Sequence, residues 1–73
     1  MRLSIEYCVA WDYAPQAASL AAELEKKGFP KAELIKGGGG AFEVRKDGVL
    51  LFSKLREHRF PSHSEIVNLI EHN

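Results

Sequence analysis

The sequence predicts a small α/β (α+β) domain in the order β-α-β-β-β-α, with one four-stranded mixed sheet and two helices. Three observations carry this reading. Leu3, Ile5 and Tyr7 alternate with Ser4, Glu6 and Cys8, the period of two that marks a half-buried strand. Ala17, Leu20, Ala21 and Leu24 recur at the spacing of one helical face. Asp47-Gly48, between two apolar-rich runs, is the strongest two-residue hairpin signal in the chain.

Taken in order, the first strand is expected at about Arg2–Tyr7. Asp12 suits a helix cap and Pro15 a first helical turn. The first helix is expected over Gln16–Lys27, with Lys26 and Lys27 complementing its negative end. Gly28 supplies the left-handed residue after it, and Pro30 prevents continuation. Three strands follow, at Ala32–Lys36, Ala41–Lys46 and Val49–Ser53. A two-residue turn would pair Lys46 with Val49 and Val44 with Leu51. That register puts Phe42, Val44 and Leu51 on one face and Leu50 and Phe52 on the other. "LREHRFPSH" reads as a polar connection. Ser62 and Glu65 then form a capping box, and Ile66, Leu69 and Ile70 make the stripe of a final helix. A strand, a helix and a strand imply a parallel crossover. Both helices can pack on one face of the sheet, leaving the other face open to a second copy or a partner chain.

The length of 73 residues allows one domain, residues 1–73. Domains this small bury only about 60% of the surface of the unfolded chain, so the core must be compact. Ten basic and ten acidic side chains leave no net field to attract nucleic acid or an anionic membrane. Met1–Ala10 carries Arg2 and Glu6 and is no signal peptide. No apolar run reaches the roughly 18 residues of a membrane span. The expected compartment is the cytoplasm, where a free thiol is ordinary.

The single cysteine, Cys8, cannot form a disulfide within the chain. It sits where a strand gives way to a helix. Backbone N–H groups and the helix dipole there favour an anion, while Asp12 opposes one. Two readings stand: a small buried apolar residue, or a reactive sulfur at the carboxyl end of a strand, where open α/β sheets bind ligands. Trp11 fits either a core anchor or an exposed platform beside the thiol. It cannot resolve a mixed disulfide, because indole offers no thiolate.

Gly37, Gly38, Gly39 and Gly40 fall at the same end of the sheet as Cys8. They suit either close approach of a peptide or glutathione backbone, or a connection without a ligand. No Gly-Lys-Ser/Thr follows, so this is not a phosphate loop. His58, His63 and His72 lack metal-ligand spacing, and no bound cofactor is expected. Arg45, Lys46, Lys54, Arg56 and Arg59 read as a solvated face.

The order of elements is that of a small thioredoxin-like arrangement. "YCVAWDYAPQAASLAAELEKKG", "GGGGAFEVRKDGVLLFSK" and "FPSHSEIVNLI" resemble the selenoprotein W-like (Rdx) family across nearly the whole chain. That resemblance implies a CxxC or Cys-x-x-selenocysteine redox loop, with activity coupled to glutathione or protein thiols. Cys8 matches the first position of the loop. Trp11 stands at the second, which removes a two-sulfur cycle within one chain. The expected function is thiol–disulfide exchange or reversible glutathionylation through Cys8, with glutathione as co-substrate. Trp11 and Gly37–Gly40 would shape the surface, on a sulfur expected to lie uncovered at the strand tip. The alternative is a non-catalytic interaction module with contacts through Trp11 and the open sheet face, including a homodimer.

Overall fold

The computed structural model describes residues 1–73. The strands are β1 (Leu3–Cys8), β2 (Glu33–Gly37), β3 (Phe42–Lys46) and β4 (Val49–Ser53); the helices are α1 (Ala14–Lys26), α2 (Lys54–Glu57) and α3 (His63–Glu71). The sheet order is β2-β1-β3-β4. β1 runs parallel to β2 and antiparallel to β3, and β3 pairs antiparallel with β4. The predicted four-stranded mixed sheet is therefore present, with strand boundaries within a residue of those expected.

The core forms between one sheet face and the two longer helices. Ala17, Leu20, Ala21 and Leu24 of α1 and Ile66 and Ile70 of α3 pack with Leu3, Ile5, Phe42 and Val44, as the two periodicities require. Gly28 takes φ +95° after α1, a conformation that costs glycine little. Ser62 accepts from the Glu65 N–H at 3.1 Å, and Glu65 accepts from the Ser62 N–H at 3.4 Å, so the capping box is complete.

Four expectations are corrected. Asp12 does not cap α1. It adopts φ +61°, and Tyr13 occupies the cap position with no side-chain hydrogen bond. The helix starts two residues early, at Ala14, with Pro15 still in its first turn, where its missing N–H costs nothing. The hairpin keeps Lys46 opposite Val49, but a bulge between Val44 and Arg45 then pairs Val44 with Phe52 instead of Leu51. One extra residue on β4 turns both Leu51 and Phe52 inward, so Phe52 belongs to the core and not to the open face. Finally, the polar connection contains a third helix, the single turn α2. Ser53 caps it, accepting from the Arg56 N–H at 3.2 Å, and His58 ends it at φ +61°.

The predicted solvated basic face also disperses. Arg45 pairs with Glu6 at 3.2 Å and Arg59 with Glu65 at 2.7 Å. Lys46 donates to the Ile70 carbonyl at 2.9 Å, satisfying an orphan acceptor near the end of α3. Lys54 lies over the rings of Tyr13 and Phe60.

Candidate functional site at the carboxyl end of the first strand

Cys8 is the last residue of β1, held on both sides. It pairs with Gly37 of β2, and its N–H donates to the Ala41 carbonyl at 2.8 Å. Its own carbonyl accepts from the Tyr13 N–H at 3.1 Å, and the Asp12 N–H donates to the Val9 carbonyl at 3.0 Å, folding residues 9–12 into a tight turn before α1. Asp12 tolerates the left-handed backbone there better than most residues do.

The uncovered sulfur expected from the sequence is not what this arrangement gives. Cys8 is 0% exposed. Its place at the strand end and before the helix is as expected, but its side chain is buried. Trp11 goes the other way: it is 63% exposed, the platform and not the core anchor. It is also not loose. Its benzo ring lies so near Gly40 that a Cβ there would meet Cζ3 at 3.0 Å and Cε3 at 3.2 Å. The indole makes an edge contact with Tyr13 at 6.1 Å between centroids, and Tyr13 leads through Phe60 to buried Phe42.

The glycine run divides into parts. Gly37 belongs to β2, and Glu6 covers it: a Cβ there would meet Glu6 Oε2 at 2.8 Å. Gly38 and Gly39 face open space, and Gly40, at φ +77°, carries the indole. Gly37 was singled out in the sequence but Glu6 was not, because only the parallel register of β1 and β2 brings the two together. Glu43 was also missed. It is 7% exposed, accepts from the Ser53 hydroxyl at 3.0 Å, and lies opposite Glu6 across the β1–β3 ladder.

Elsewhere the structure assembles little chemistry. His63 approaches Ser19 at 3.5 Å on an exposed surface. No group of three or more His, Cys, Asp or Glu side chains is placed to hold a metal ion. The largest surface hollow lies between Arg2, Ser4, Lys31, Glu33 and Asp47, at the opposite end of β1 from Cys8. It is open and lined by mixed charges, and takes no part in the site. No helix is long and apolar enough to cross a membrane.

The sequence model described as the Rdx family matches residues 2–72. The chain belongs to the Rdx family. As an Rdx-family protein it is 33% identical over 72 residues to Migration and invasion enhancer 1 of Bos taurus and 32% identical to that of Mus musculus. Each match covers 96% of this chain but only 62% of the relative, so the chain spans less than two thirds of those proteins. A crystal structure from Bordetella parapertussis, 26% identical, superposes with a TM-score of 0.88 over 96% of this chain and 92% of that one. That of a selenoprotein W-related protein from Vibrio cholerae, 23% identical, gives a TM-score of 0.87 over 96% of this chain and 91% of that one, a likeness of fold. The thioredoxin-like fold expected from the order of elements is thus the fold of the family.

Proposed function

We propose that the protein carries out one-cysteine thiol–disulfide exchange through Cys8, with glutathione or a protein thiol as the partner. The observation that carries this reading is Cys8 itself, at the carboxyl end of β1 and just ahead of α1, in a chain of the Rdx family. In the reaction the Cys8 thiol gives up its proton and the sulfur attacks one sulfur of glutathione disulfide. A new S–S bond forms as the old one breaks, and the departing glutathione sulfur takes up a proton and leaves as the thiol. An outside thiol reverses the step, because Trp11 stands where a resolving sulfur would be needed. The reducing cytoplasm supplies such thiols. Since Cys8 is covered, the exchange requires a local opening of the chain around it.

The test is the intact mass of the folded protein after incubation with oxidised glutathione. One glutathione should add to the wild type and none to Cys8→Ser. The reading is lost if the folded protein takes up no glutathione under conditions in which urea-unfolded chain does.

A second reading draws on the burial of Cys8 beside the exposure of Trp11, Val9 and Leu55. In it the chain is a non-catalytic interaction module, and the indole and the open sheet face are contact surfaces for a partner or a second copy. Cys8→Ser would then leave binding unchanged while Trp11→Ala weakens it. Sedimentation of the wild type as a concentration-independent monomer would remove the homodimer.

A further inference from the structure

The sheet order makes the glycine segment a strap. β2 lies on one side of β1 and β3 on the other. The chain leaves β2 at Gly37, beside Cys8, and joins the opposite flank at Ala41, whose carbonyl accepts the Cys8 N–H. Neighbouring strands are about 4.8 Å apart, so the chain must travel about 10 Å across the end of β1. Gly38, Gly39 and Gly40 are the only residues that make this crossing, and they make it at Cys8. The crossing is closed by a hydrogen bond from the Ala41 N–H to the Gly38 carbonyl at 3.2 Å. From the other direction, the turn of residues 9–12 folds back over the same point.

These two coverings meet at the β2 end, where the Val9 N–H donates to the Gly37 carbonyl at 3.2 Å, and at the β3 end, where the Trp11 indole rests on Gly40. Gly38 and Gly39 have nothing within 4 Å of a would-be Cβ, whereas Gly37 is held by Glu6 and Gly40 by Trp11. The strap is therefore packed against side chains at its ends, while its middle faces open space and is held by the single Ala41-to-Gly38 hydrogen bond. The residue at the second position of the redox motif is its clasp at the β3 end.

The geometry points to a gate: Trp11 and Gly40 form a latch that holds the glycine strap over Cys8, and releasing it admits a small reagent to the sulfur without unfolding the domain. The side chain that replaces the second redox residue thus controls access to the first. This gate gives the local opening that the proposed exchange requires, and it rests on that reading only for its purpose, not for its existence.

The test is the alkylation rate of Cys8 by iodoacetamide in the native protein, followed by intact mass against urea concentration. In the wild type the rate should be slow and nearly independent of urea well below the unfolding transition, as for a local opening that exposes little surface. Trp11→Ala should raise it about tenfold, the loss of about 1.4 kcal/mol of latch. Gly40→Ala, which forces a methyl into the indole at φ +77°, should raise it in the same direction. Equal rates in wild type and Trp11→Ala would overturn the gate. So would a wild-type rate that climbs with urea along the slope of global unfolding, which needs no variant to fold. Oxidised glutathione separates the two ideas. Fast alkylation of Trp11→Ala with no glutathione uptake keeps the gate and sinks the exchange reaction; glutathione uptake equal in wild type and Trp11→Ala does the reverse.

Discussion

Leu50, Leu51 and Phe52 differ little in hydrophobicity, yet the fold treats them differently. Leu50 is 38% exposed and Phe52 2%. The bulge beside Val44 makes that choice, since strict alternation would have put Phe52 outside with Leu50. Phe52→Ala should cost about 3–5 kcal/mol of unfolding free energy, through lost burial and a cavity. Leu50→Ala should change stability by about 0.5 kcal/mol or less. Urea unfolding of both variants checks this, and equal losses would restore the alternating register. Cys8 makes the same point at the site. Its position at the strand end was readable from the period of two, but its burial was not, because the strand ends that flank it, at Gly37 and Ala41, lie about thirty positions away in sequence.

Among the elements, those set by local signals were legible. The apolar stripe of α1, the Ser62–Glu65 box of α3 and the Asp47-Gly48 turn each depend on residues within one or two turns of one another. The α2 helix escaped because four residues make little more than one turn and leave no periodic pattern to read. What holds it is Ser53, whose hydroxyl accepts from Arg56 N–H and donates to the buried Glu43 carboxylate. Ser53→Ala removes both bonds and leaves a buried acceptor unpaired, which should cost about 1–3 kcal/mol. Ser53→Thr keeps the hydroxyl and should recover most of that loss. Chemical denaturation of the pair provides the measurement. A silent Ser53→Ala would mean that Glu43 is served by water instead.

At the level of the whole molecule, Arg59 ties the segment after α2 to the start of α3 through two short bonds to Glu65, at 2.8 and 2.7 Å. Those bonds hold the Glu65 carboxyl below its ordinary value of 4.5. A lowered folded value means that the unfolded chain binds the proton first. The contribution is therefore complete above pH 4.5 and is lost as pH falls through the folded value. The pair is solvent-exposed, so the effect is small and screened by salt. Wild type should lose stability on acidification slightly more steeply than Arg59→Met, and urea midpoints across this range at low salt would show it. Identical acid profiles would dismiss the pair as a source of stability.

The sequence by itself determined the four strands and the two longer helices, the parallel return of the second strand, the turn at Asp47-Gly48 and the end of the sheet at which Cys8 lies. Periodicity, turn chemistry and capping act over a few residues and are written locally. Tertiary structure alone decided the bulge that buries Phe52, the coupling of Ser53 to Glu43, and the burial of Cys8 between the end of β2 and the start of β3. Each depends on which strand lies beside which and in what register, and these are settled only when segments distant in the chain pack against one another.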